Sequence, residues 1–134
     1  MNRPLVLLAT VSLLGVIVAA CGRGSGGYEA AATAAADATP SATLTISAKD
    51  LKFDKKALVV PAGAQVTLRF ENEDVGALHN VAIYSDASAS RTLFRGELFE
   101  GRRTVEYSFP APPAGVYYFR CDAHPDMNGA FIVR

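Results

Sequence analysis

The chain has no tryptophan, and in 134 residues it holds only two cysteines, two histidines and two methionines. So few cysteines exclude the disulfide-stapled framework of small secreted scaffolds. Charge of either sign is also lacking in excess, with 13 Lys and Arg against 13 Asp and Glu. Without a basic surplus to displace counterions, nucleic acid is excluded as a partner on electrostatic grounds. Beyond Ser41 no stretch carries apolar residues at helical spacing, which excludes a helix bundle. The length allows one ordinary domain. Soft and nitrogenous side chains are therefore scarce, and their positions carry information.

What is present begins with an apolar run over residues 5–20, behind Arg3. It is short for a transmembrane helix, which needs about 20 residues, and it has the basic-then-apolar order of an export signal. The run ends Val18-Ala19-Ala20-Cys21-Gly22, which resembles the lipobox of bacterial lipoproteins. That resemblance implies a signal peptide over 1–20, cleavage before Cys21, lipidation of Cys21, and anchoring to a membrane facing the periplasm or the cell exterior. Removal of Arg3 with the leader leaves 12 basic against 13 acidic side chains. Residues 21–41 hold Gly24-Ser25-Gly26-Gly27 and then an alanine-rich stretch with no large aliphatic side chain. The composition predicts a flexible linker, which as a coil of about 20 residues lets the domain range roughly 25 Å. Alanine propensity permits some helix over 29–38, but an isolated helix of that length is marginal.

From residue 42 to 134 the apolar period changes to two. Val66, Leu68 and Phe70 alternate with polar neighbours, as do Val105, Tyr107 and Phe109. Further strands are expected over 44–47, 58–60, 81–84, 116–121 and 130–133, separated by turn chemistry at Pro61-Ala62-Gly63, residues 72–76, residues 110–115 and Asn128-Gly129. Seven short strands in about 90 residues predict an all-β fold, an antiparallel Greek-key β-sandwich.

The chemistry concentrates in Cys121-Asp122-Ala123-His124-Pro125-Asp126-Met127, where three donors recur every third residue at the end of a strand. Each such step spans at most about 10 Å, so a tight loop can gather all three around one point. The other histidine, His79, opens a strand some forty residues upstream. Taken singly, Cys121 and Met127 read as core fillers and the histidines as incidental. Outside the leader and Cys21, however, no other Cys, His or Met exists. A thiolate, two imidazoles and a weak thioether form the donor set of copper electron-transfer sites, whereas zinc does not use thioether.

These residues resemble the cupredoxins, the plastocyanin, pseudoazurin and amicyanin group. The resemblance spans 41–134 and rests on Phe70-Glu71-Asn72, the pair His79-Asn80, the aromatic run into Cys121 and the closing Met127-Asn128-Gly129. The two-residue gaps from Cys121 to His124 and from His124 to Met127 match the short ligand loop of amicyanin. The resemblance implies one type 1 copper, held by His79, Cys121 and His124 with Met127 axial, and Asn80 tying the two ligand segments together. It also implies a monomeric one-electron carrier, with His124 as the electron port in a patch of Ala77, Leu78 and Pro125, serving a redox partner such as a cytochrome or an oxidase. Glu73, Asp74, Asp122 and Asp126 fall around that port, as a solvated rim or as a steering surface for a basic partner. Copper delivery or sequestration without a redox role uses the same ligands and is the alternative. An enzyme is not expected, because no histidine is left for a catalytic copper.

Overall fold

The computed structural model describes residues 26–134. The expected signal peptide, the cleavage site and Cys21 lie outside the described residues. A helix, α1 (Gly26–Ala34), precedes eleven strands: β1 (Thr43–Lys49), β2 (Lys52–Phe53), β3 (Ala57–Val60), β4 (Gln65–Asn72), β5 (Leu78–His79), β6 (Ala82–Tyr84), β7 (Thr92–Arg95), β8 (Phe99–Glu100), β9 (Arg103–Pro110), β10 (Gly115–Arg120) and β11 (Asn128–Val133).

Two sheets face each other. One has the order β2-β1-β4-β9, the other β3-β11-β10-β6-β7, and β5 pairs with β8 outside both. The all-β sandwich is as the sequence predicts. Most pairings are antiparallel, but β1 runs parallel to β4 and β3 parallel to β11. Strand β4 shows why alternation specifies the fold: Val66, Leu68, Phe70 and Asn72 are buried while Gln65 and Arg69 are exposed. A one-residue slip against β9 would turn that whole set outward, so the register Val66 to Phe109 and Phe70 to Val105 is fixed by burial. The core between the sheets holds Ile46, Leu68, Phe70, Phe119 and Phe131 and runs without a break into Cys121 and Met127. The four strands that the sequence does not announce are β2, β5, β7 and β8. Three of them have two residues each, too few to display a period.

Where the composition predicts a flexible linker through residue 41, the structure has α1 packed on the outer face of the five-stranded sheet. Ala31 and Ala32 of the helix and Ala35 in the turn after it are small enough to lie against Val59, Ala130 and Ile132. Tyr28 meets Tyr118 edge-on with ring centroids 5.3 Å apart, a geometry aromatic pairs favour. No basic residue occupies the last turn of the helix. The guanidinium of Arg134 takes that role, donating to the carbonyls of Ala35 and Ala38 and placing a cation where the helix dipole is negative. The same cover explains β11, which is buried on both faces from Gly129 to Val133.

At the start of β11 the backbone of Gly129 lies so close to β3 that a Cβ there would stand 2.3 Å from the Lys56 carbonyl oxygen and 2.7 Å from the Phe119 ring. Gly129→Ala is therefore expected to cost about 1–3 kcal/mol, read as a lowered urea midpoint. An unchanged midpoint would contradict this close approach.

Candidate metal centre

Three of the side chains singled out in the sequence, His79, Cys121 and His124, meet at one end of the sandwich, and Met127 lies buried in the core cluster that includes Cys121. His79 is fully buried on the two-residue ladder of β5 with β8, opposite Phe99. Three interactions set its position. The Asn72 side chain donates to the carbonyls of Ala77 (3.0 Å) and Phe99 (2.8 Å), fastening the loop before His79 to β8. The Asn72 Oδ1 accepts from the Asp74 backbone N–H at 3.0 Å. The Asp74 carboxylate lies 2.9 Å from His79 Nε2, so the proton sits on that nitrogen and Nδ1 is left with a free lone pair.

Asp74 is itself held by the backbone N–H groups of Asp50 (2.7 Å) and Leu51 (3.0 Å), two residues in the left-handed region. The hydrogen bond from Leu51 is the main influence. With help from the His79 ring and Asp50 it outweighs partial burial and holds the Asp74 carboxyl below its ordinary range.

The other three donors come from the turn between β10 and β11. Its shape follows from two backbone bonds, Cys121 N–H to Met127 O and Met127 N–H to His124 O, both 2.9 Å. Asn128 adds side-chain bonds to the carbonyls of Pro125 and Asp126. Cys121 and Met127 are buried and His124 is partly exposed.

Cys121 Sγ lies 3.6 Å from His79 Nδ1 and 3.8 Å from His124 Nδ1. All three donor atoms fall within 4.8 Å of one another. An ion in trigonal coordination, with bonds of about 2.0–2.3 Å, needs its donors separated by roughly 3.6 Å, so this set fits a first-row metal with little movement. Among the described residues no other group of His, Cys, Asp and Glu is gathered this way. Met127, buried to 2 % exposure and joined to the loop by both backbone bonds, is packed in the core cluster that includes Cys121.

Asn80 ties the two segments together. Its Oδ1 accepts from the Asp122 N–H at 2.8 Å, and its Nδ2 donates to Asp122 Oδ2 at 3.1 Å and to the Gly96 carbonyl at 3.0 Å. The Asp122 carboxylate also accepts from the Tyr84 hydroxyl and pairs with Arg95 (3.1 Å) and Arg120 (3.4 Å). Burial pushes the Asp122 carboxyl up, but the bonds from Tyr84 and Asn80 and the charge of Arg95 together hold it below its ordinary range. Of the four carboxylates placed around the port, Asp74 and Asp122 are thus engaged in holding the site, and Glu73 pairs with Lys49 at 3.5 Å. Nothing in the residue order marks the roles of Asp74, Tyr84 or Arg95. A carboxylate five residues before a ligand histidine was the one available signal, and proximity in sequence does not say which way a side chain faces.

Exposed apolar side chains collect at the same end. Leu78 (45 % exposed) adjoins His79, Leu98 (46 %) precedes Phe99, and Val75 (77 %) lies in the loop fastened by Asn72.

Comparison with known proteins agrees with the fold. The family model of the cupredoxin-like domain matches residues 18–133. Auracyanin-A of Chloroflexus aurantiacus is 30% identical, over 96% of this chain and 96% of its own. The solved structure of auracyanin A, described as a "blue" copper protein from that green thermophilic photosynthetic bacterium, is 30% identical, superposes with a TM-score of 0.62, and covers 72% of this chain and 100% of its own. Reduced auracyanin from Roseiflexus castenholzii, at 23% identity, shares the fold with a TM-score of 0.66 over 72% of this chain and 99% of its own. The chain belongs to the cupredoxin-like family.

Proposed function

We propose that this protein is a type 1 copper protein that carries single electrons in the bacterial cell envelope, held to a membrane by a lipid on Cys21. One observation carries the redox part: a buried thiol sulfur set 3.6 and 3.8 Å from two imidazole nitrogens, close to the separation that the ligands of one ion need. Copper held there by His79, Cys121 and His124, with Met127 as a weaker fourth donor, would supply the one-electron exchange between Cu(II) and Cu(I).

The protein's own part is to keep the donors still. Cu(II) and Cu(I) prefer different coordination, and a close-packed pocket resists relaxation toward either. His79 is pinned on its far nitrogen by Asp74. The ligand loop is pinned by its own backbone bonds and by Asn80. Small movement means a small reorganisation cost for each electron. The His124 ring, partly exposed beside Pro125, offers the short path to a docked partner.

Delivery or sequestration of copper requires the ion to be handed on. Full burial of Cys121 and His79 opposes such exchange and favours the carrier. The family's work is electron carriage rather than catalysis, and the pocket supplies no further imidazole for a substrate-binding metal.

Copper-loaded protein should show an intense visible band from thiolate-to-copper charge transfer. Cys121→Ser should abolish that band while leaving the far-UV spectrum of the sandwich intact; a variant that stays coloured would refute the thiolate role. Met127→Leu should keep the colour and raise the reduction potential, since a donor that favours Cu(II) is removed; a potential that is unchanged or lower would exclude Met127 as an axial ligand. Cys21→Ser should move the protein from the membrane to the soluble fraction with its copper retained, and continued sedimentation with membranes would count against the lipid anchor.

A further inference from the structure

The turn between β1 and β2 has no packing reason for its shape. Lys49 pairs with Lys52, which leaves Asp50 and Leu51 as the two residues of a tight hairpin loop. Both lie in the left-handed region, with φ of 51° and 56°. Such turns favour Asn and Gly, and a bulky side chain such as leucine is strained there. Burial does not offset the strain, since Leu51 is 52 % exposed and Asp50 is exposed as well.

What the conformation supplies is a pair of backbone N–H groups aimed at one carboxylate. Successive N–H groups in a turn form a concave nest for an anion. Asp50 N–H donates to Asp74 Oδ1 at 2.7 Å, and Leu51 N–H donates to Oδ2 at 3.0 Å. The same Oδ2 lies 2.9 Å from His79 Nε2. Three donors thus converge on two oxygens. A carboxylate accepts all three, whereas the amide of an asparagine would turn its NH2 toward at least one of them. The hairpin is also fastened to the loop before His79. Glu73 N–H donates to the Ala48 carbonyl at 2.9 Å, and the Glu73 carboxylate pairs with Lys49.

A negative charge on the far nitrogen of a ligand imidazole makes the near nitrogen a stronger donor. It also favours the more highly charged state of a bound metal, which lowers the reduction potential. We infer that the β1–β2 turn is a remote part of the metal centre, a nest that holds the Asp74 carboxylate on His79 and thereby sets the potential of bound copper. Asp74 and the two turn residues are positioning residues that act through His79. The inference rests on the reading of the centre as a type 1 copper site.

Two measurements test it, and the first needs no metal. In metal-free protein with isotope-labelled histidine, proton NMR should show His79 as a single tautomer protonated on Nε2, with that proton far downfield. Asp74→Asn should abolish the downfield signal. Leu51→Val, whose branched side chain cannot hold a positive φ, should move it upfield. Leu51→Gly keeps both the N–H and the conformation and should leave it in place. A His79 protonated on Nδ1 in the natural sequence, or a signal indifferent to Asp74→Asn, overturns the inference.

In copper-loaded protein, Asp74→Asn should raise the reduction potential by about 59 mV or more, the one-electron equivalent of a tenfold shift in preference from Cu(II) toward Cu(I). Leu51→Val should shift it in the same direction, and Leu51→Gly should not. Because both effects run through one carboxylate, Asp74→Asn combined with Leu51→Val should match Asp74→Asn alone. A full sum of the two shifts overturns the inference. Should Asp74→Asn lose the far-UV spectrum of the sandwich, the contrast between Leu51→Val and Leu51→Gly decides, and equal behaviour of the two overturns the nest. Natural protein that takes up copper without the intense visible band overturns the type 1 reading and the claim on potential with it, while the metal-free spectra still decide whether the nest holds His79.

Discussion

Two stretches of chain 42 residues apart must deliver a thiol and an imidazole to within a few tenths of an ångström, and the buried amide of Asn80 joins them. It uses its oxygen on the Asp122 N–H, one residue past Cys121, and its nitrogen on Asp122 and Gly96. A buried amide left with an empty lone pair or an idle N–H is costly, and a fully satisfied one fixes its neighbours. His79 follows from the residue beside it and Cys121 from the residue after it. The arrangement makes sense of Tyr84, Arg95 and Arg120 as well: they hold the carboxylate that Asn80 grips.

Much of this could be read in the sequence, for reasons that differ by element. Strands β4 and β9 are long and alternate cleanly, so each was visible as a strand, from Val66, Leu68 and Phe70 and from Val105, Tyr107 and Phe109, while their pairing came with the fold. The donors could be read because the inventory is so short that nothing competes with them. The interactions that orient them could not. Asp74 and Asp122 look like surface acids in a turn, and only the fold shows that one reaches a ring nitrogen and the other a buried amide.

The docked helix was obscured for a different reason. Alanine gives no large side chain to notice, and Tyr28 is a single ring in a polar neighbourhood. The missed signal was in the partner strands. Leu58-Val59-Val60 and Phe131-Ile132-Val133 are apolar without alternation, and a strand buried on one face only has no use for that. Their outward members required a cover, and the only segment left to provide it was the one assigned to the tether.

The two halves of the pocket are supported unequally. Cys121, His124 and Met127 ride on the turn between β10 and β11, two strands flanked on both sides within the five-stranded sheet. His79 sits on a ladder of two residues outside either sheet, kept in place by Asn72 and Asp74. Local opening follows the weakest unit of a structure. Amide exchange around His79 and Phe99 should thus outpace exchange in β10 and β11, so the wall of the centre that carries His79 is the first to loosen.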